Sequence, residues 1–155
     1  MIQVRRVQPQ DLDYIFNNAA ALGYKSQLMS GKLDHMMLII DNKEICGIGF
    51  YINIESKCLL NWITIKENHR RIGLGTMLVK TMLNTAEQQG AMQAYYPCEC
   101  DDFAEFLNFE KIAEEEINDI KKIYSDIYKE IGLNSIYKVS LLDYFKPCNN
   151  HHKCK

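Results

Sequence analysis

The stretch Glu67–Leu78, ENHRRIGLGTML, brings together residue types that can hold a phosphorylated ligand. Arg70 and Arg71 can make charge-assisted, bidentate contacts to phosphate oxygens. Gly73 and Gly75 let the backbone approach a ligand with no Cβ in the way. A helix opening at the second glycine would aim unpaired N–H groups and its positive dipole end at the same point. Two nucleotide-binding patterns are excluded residue by residue. A P-loop continues into Gly-Lys-Ser/Thr, whereas Gly75 is followed by Thr76 and Met77. A dinucleotide fingerprint needs a third small residue for helix packing and an acid about 20 residues further on. Leu78 and Tyr95 stand at those two places.

Other side chains with chemical capacity lie further along. AYYPCEC (94–100) offers Tyr95, Tyr96, Cys98, Glu99 and Cys100. Alternation along a strand would turn only one of the two tyrosines toward a cleft, leaving the other in the core. Cys98 or Cys100 as thiolate could act as a nucleophile, but no histidine is fixed nearby by sequence. In the tail, Cys148, His151, His152 and Cys154 are zinc-type ligands, and Cys98 with Cys100 could complete a set if the tail folds back. Their spacing is irregular for a zinc site, a flexible tail accounts for them as well, and no metal ligand is assigned. Trp62 falls inside a strand and reads as core, and His69 as a loop residue beside the arginines.

The elements that must position the glycine loop are legible as patterns. IQVRRV (2–7) alternates like a strand, and Asp11 could cap an amphipathic helix running to about residue 21. HMMLII (35–40), EICGIGFYINI (44–54) and KCLLNWITI (57–65) are strand-like runs separated by DNK and ESK turns, which implies an antiparallel meander. Leu74 to Gln89 reads as a helix with Gly90 just past its end. AMQAYY (91–96) and FEKIA (109–113) read as strands on either side of a short helix with an acidic first turn (101–107). Ile117, Ile120, Tyr124, Ile127 and Ile131 form a helical stripe, opened by the acidic Glu114–Glu116 turn. SIYKVSLLDYF (135–145) closes as a strand. The expected order is β-α-βββ-α-β-α-β-α-β, an α/β protein with one mixed sheet.

Length and composition bound the rest. The chain has 155 residues, which suits one domain over 1–146 with a Cys/His-containing tail at 147–155. A net charge of −2 gives no basic field for nucleic acid. No apolar run reaches the length of a membrane span, and the opening residues have no apolar export region. A soluble, cytoplasmic protein is expected, its six cysteines reduced or ligating rather than paired.

ITIKENHRRIGLGTMLVKTML, with its strand, polar loop and Arg-x-x-Gly-x-Gly opening a helix, resembles the acetyl-CoA-binding segment of the GNAT acyltransferase superfamily. Arg70, Gly73 and Gly75 match that pattern position by position. FAEFLNF (103–109) is similar to the family's phenylalanine/tyrosine-glutamate-x-leucine-glycine-phenylalanine run, and the strand order is also the family's. The resemblance implies a GNAT-like fold with an extra helix inserted between the last two strands, and acetyl-CoA as acyl-donor cosubstrate. It implies that Arg70, Arg71, Ile72, Gly73, Leu74, Gly75 and Thr76 hold the pyrophosphate. Main-chain groups of Ile63 and Ile65 would take the pantetheine arm and acyl carbonyl. The implied acceptor is a primary amine on a small molecule or peptide.

Three departures stand out. The family's tyrosine acid falls on Ala104, which cannot donate a proton, so Tyr96 or Tyr95 is the replacement considered. Asn108 replaces a glycine, and asparagine tolerates a left-handed backbone better than most residues. The inserted helix could wall the acceptor site, or pack its Ile/Tyr stripe on the sheet or on a second subunit of a homodimer. The alternatives to an enzyme are an acyl-CoA-binding regulator that has lost catalysis, and a metal-binding interaction protein built on the tail.

Overall fold

The computed structural model describes residues 1–18, 35–70, 73–98, 101–124, 135–142 and 144–145, with Trp62 and Asp101 described as backbone only. The chain order is β1 (Ile2–Arg6), α1 (Leu12–Asn17), β2 (Met36–Asp41), β3 (Glu44–Ile54), β4 (Lys57–Ile65), α2 (Leu74–Gln88), β5 (Gln93–Pro97), α3 (Asp101–Phe106), β6 (Glu110–Lys111), α4 (Glu114–Ile123) and β7 (Ile136–Ser140). These alternate as the sequence predicts. The middle strands begin and end where their apolar runs do, because tight turns bound them. Asn42 and Lys43 between β2 and β3 both have positive φ, at 49° and 71°. That is the backbone of a two-residue turn whose twist suits antiparallel strands.

Other boundaries move for local reasons. The predicted strand at 91–96 starts at Gln93, because the Ala91 N–H closes α2 on the Ala86 carbonyl at 3.0 Å. The predicted final strand stops at Ser140, and the chain turns so that the Tyr144 N–H reaches the Leu141 carbonyl. Asp11 precedes α1 but makes no side-chain cap. Its carboxylate instead takes both arms of the Arg5 guanidinium, at 2.7 and 2.8 Å, and the Gln8 N–H at 2.8 Å. The expected continuation of the first helix beyond Asn18, the segment 24–34, Ile127, Ile131 and the tail lie outside the described residues.

Among the described residues, seven strands form one sheet in the order β1-β2-β3-β4-β5-β7-β6. Every neighbouring pair is antiparallel except β4 and β5. That parallel pair holds for three rungs only, Lys57↔Gln93, Cys58↔Ala94 and Leu59↔Tyr95. Beyond Leu59 the two strands part, although β4 continues to Ile65. Just past that point β4 carries a bulge, since the register with β3 jumps from Tyr51↔Leu60 to Phe50↔Trp62 and leaves Asn61 as the extra residue.

Each face of the sheet is covered. α2 buries Leu74, Leu78, Val79, Met82, Leu83 and Ala86, a stripe at three-and-four spacing, against Ile39, Tyr51, Leu60 and Ala94. Gly49 permits that close packing, because a Cβ there would lie 2.3 Å from the Met82 sulfur. On the other face Ile15 of α1 and Ile117 and Ile120 of α4 pack with Ile48, Phe50, Leu59 and Tyr95. Within its described part, α4 therefore spends its stripe on its own sheet. α3 ends with the Phe109 N–H on the Ala104 carbonyl and the Asn108 N–H on that of Glu105, at 3.0 and 2.9 Å. This closure requires a left-handed residue, and Asn108 supplies it at φ 66°.

Candidate active site

The parting of β4 from β5 opens a cavity of about 600 Å³. Its walls are Ile63, Thr64 and Ile65 from β4, His69 and Arg70 from the loop, Gly73, Gly75 and Thr76 at the start of α2, Tyr96 from β5, and Phe103 and Phe106 from α3. A second groove shares Gly73 and Thr76 with it and runs along α2 past Met77, Lys80 and Asn84 to Phe145. No carboxylate lines either space among the described residues.

The strand edge facing the cavity has polar backbone to offer. The Lys66 N–H bonds the Cys46 carbonyl at 2.7 Å, and β4 pairs Thr64 with Ile48 and Ile65 with Gly47. In an antiparallel ladder the residues that bond across the strand pair alternate with those that do not. Lys66 and Thr64 therefore turn their backbone groups toward β3, and Ile63 and Ile65 turn theirs toward the gap. Arg70 donates from Nε to the Ile65 carbonyl at 2.8 Å, holding the loop against the strand end.

The helix start supplies donors. Gly73 is the residue before α2 and has φ 82°, a left-handed conformation that glycine adopts without strain. The first helical bond runs from the Met77 N–H to the Gly73 carbonyl at 3.1 Å. The N–H groups of Leu74, Gly75 and Thr76 thus precede the helical ladder, no side chain caps them, and the first turn contains no acid. A Cβ built on Gly75 would meet the Phe103 ring at 3.5 Å and Ile65 at 3.7 Å, so the missing side chain is itself part of the cavity. The arrangement suits an elongated ligand, with anionic groups at the helix start and an amide-bearing arm along the strand edge.

Residues 8–104 match the model of the Acetyltransferase (GNAT) family. The chain belongs to that family. No curated protein sequence matches this GNAT chain, and its likeness to solved structures is one of fold. N-acetylglutamate synthase from Neisseria gonorrhoeae, complexed with coenzyme A and N-acetyl-glutamate, superposes with a TM-score of 0.72 at 15% identity. The alignment covers 91% of this chain and 35% of the synthase, so this chain spans about a third of that protein. Rv2747 from Mycobacterium tuberculosis, complexed with CoA, gives 0.71 at 14% identity over 90% of this chain and 99% of its own. A GNAT acetyltransferase from Staphylococcus aureus Mu50 gives 0.67 at 14% identity over 91% and 99%.

Of the residues named from the sequence, Ile63, Ile65, Arg70, Gly73, Gly75, Thr76 and Tyr96 come together around the cavity. Leu74 joins through its backbone only, since its side chain is buried in the α2 layer. Arg71 and Ile72 lie outside the described residues, as do Glu99 and Cys100. Tyr95 does not reach the cavity. It is buried on the opposite face, its hydroxyl 3.1 Å from both Gln93 Oε1 and Glu116 Oε2. Burial, and then the Glu116 carboxylate, push its pKa upward. Tyr95 is thereby a core hydrogen-bond donor rather than a partner of Tyr96 in chemistry.

Ala104 is fully buried and contributes only its methyl group to packing. Phe103 and Phe106, absent from the sequence-based site, line the cavity from α3, and Phe103 meets Tyr96 edge-on with centroids 6.3 Å apart. Nothing in the FAEFLNF run distinguishes the cavity phenylalanines from the buried Phe109 except that Phe103 and Phe106 stand three apart, on one face of a helix. Cys46, Cys58 and Cys98 are buried reduced thiols, and burial raises the pKa of the first two, which disfavours the nucleophilic thiolate. Among the described residues no group of His, Cys, Asp and Glu could hold a metal ion, and no helix is long and apolar enough to cross a membrane.

Proposed function

We propose that this GNAT protein is an N-acetyltransferase that passes an acetyl or other short acyl group from acyl-CoA directly to a primary amine. The observation that carries the reading is the junction of two complementary surfaces: the uncapped N–H groups at Leu74–Thr76 and the strand edge at Ile63 and Ile65, which β5 leaves without a partner strand. Arg70, with Arg71 and the N–H groups up to Thr76, would neutralise and orient the pyrophosphate. The groove holding Lys80 would take the nucleotide end. Backbone groups of Ile63 and Ile65 would bond the pantetheine amides, and a β4 N–H would polarise the acyl carbonyl as its oxygen gains charge. Bound acyl-CoA supplies the activated thioester.

Tyr96 has the only hydroxyl on the β5 wall of the cavity among the described residues. It would donate its proton as the thiolate departs, the role for which Ala104 has no group. Phe103, partly buried and packed edge-on against Tyr96, would help keep water from that end, which strengthens each polar contact within it.

Titration calorimetry with acetyl-CoA, desulfo-CoA, ATP and NAD tests the reading. The two CoA species should bind and the other two should not. Arg70→Ala and Gly73→Val should weaken CoA binding at least tenfold with the fold retained. No heat with either CoA species would overturn the reading. The burial of Ala104 favours one alternative, an acyl-CoA-binding protein without turnover. Tight binding with no CoA release across a panel of amines would establish it.

A further inference from the structure

Asn61 presents a problem that the proposed donor site does not solve. Both carboxamide atoms, Oδ1 and Nδ2, are buried without a hydrogen-bond partner. Among the described residues no other side chain has two such atoms. A buried amide left unpaired costs free energy that a leucine of similar size would not, so a protein that keeps it has another use for it. Asn61 itself lines neither cavity, and its place on the strand points to that use. Asn61 is the extra residue of the β4 bulge, two residues beyond the last rung joining β4 to β5. It precedes Ile63, where the cavity wall begins, by two residues, or about 7 Å of strand. Bulges bend a strand and re-aim a side chain, and they recur beside active sites.

We propose that the Asn61 carboxamide receives the acceptor amine, and that the acceptor is an α-amino acyl group, as in an amino-acid amide or a peptide N-terminus. The proposal rests on the acyltransferase reading above. One carboxamide offers an acceptor oxygen and a donor nitrogen side by side. A ligand that satisfies both must present an N–H and, close by, an oxygen acceptor. An α-amine next to its own carbonyl does so. A polyamine has donors only and would leave Nδ2 unpaired. Asn61 is a positioning residue in this scheme: it orients the attacking nitrogen and takes no proton.

The test uses the full chain with saturating acetyl-CoA and three probes, triglycine, glycinamide and spermidine, read by CoA release. Triglycine and glycinamide should be turned over at least tenfold better in kcat/KM than spermidine. Asn61→Leu and Asn61→Ala should each raise the KM for the better probe at least tenfold, with the Kd for acetyl-CoA within twofold of wild type. The leucine variant should melt no lower than wild type, since it removes an unpaired amide. Unchanged KM in both variants, or preference for spermidine, overturns the proposal. So does turnover of none of the probes while acetyl-CoA still binds, an outcome that leaves the donor site intact. Failure of the wild-type protein to bind acetyl-CoA sinks the acyltransferase reading itself.

Discussion

Tyr95 and Tyr96 are adjacent in the chain and sit on opposite faces of β5, and their chemistry divides accordingly. Tyr96 lines the cavity, whereas the Tyr95 hydroxyl is taken up by Gln93 and Glu116. Tyr96→Phe is expected to lower kcat by about 100-fold, the low end of what a positioned proton donor contributes. Acetyl-CoA affinity by calorimetry should stay within twofold. Tyr95→Phe should leave kcat unchanged and lower the unfolding free energy by about 1 kcal/mol in urea titrations, the usual worth of one hydrogen bond. Alternation made it legible in the sequence that the pair divides. Which tyrosine faces the cavity was not, because that depends on the face α2 covers and on the register with β4 and β7. Asn61 carried no signal at all, since a bulge is a property of two strands and leaves no mark in the residues of one.

The elements closest to the site follow from patterns a single segment carries. The six buried residues of α2 recur at helical spacing, and β3 and β4 occupy the runs their turns delimit. Leu78 is fully buried between α2 and the sheet, so Leu78→Ala should cost about 2–5 kcal/mol, measured by denaturant unfolding. The cap expected of Asp11 was a local inference that a longer-range partner overrode. Arg5, on β1, claims the carboxylate and holds its pKa below the ordinary carboxylate value. A depressed folded pKa means stabilisation that is complete above the unfolded value, about 4, and lost as pH falls through the lower folded value. The wild-type melting temperature should exceed that of Asp11→Asn at pH 7, and the gap should close as the pH falls below the ordinary carboxylate value and through the lower folded one. α4 illustrates the reverse: Ile117, Ile120 and Tyr124 of its stripe are buried, on a partner surface that could be seen only once the sheet was assembled.

At the scale of the whole molecule, the sheet comprises two blocks, β1 to β4 and β5 with β7 and β6, and only three rungs join them. Acyl-CoA at 100 times its Kd should raise the unfolding free energy by about 2.7 kcal/mol, since it binds only the folded chain. The seam has a mechanical consequence. Two blocks with separate hydrogen-bond ladders and so short a joint are natural units of sub-global opening. Pulled apart or warmed, the chain should yield there first, and amide exchange should be faster at Ile63 and Ile65 than in the paired centre of β3. A ligand whose arm bonds Ile63 and Ile65 on one block and whose reactive end meets Tyr96 on the other would act as a removable clasp. Loading it should slow exchange on both sides of the seam together, so that the strength of this sheet is set in part by whether its substrate is present.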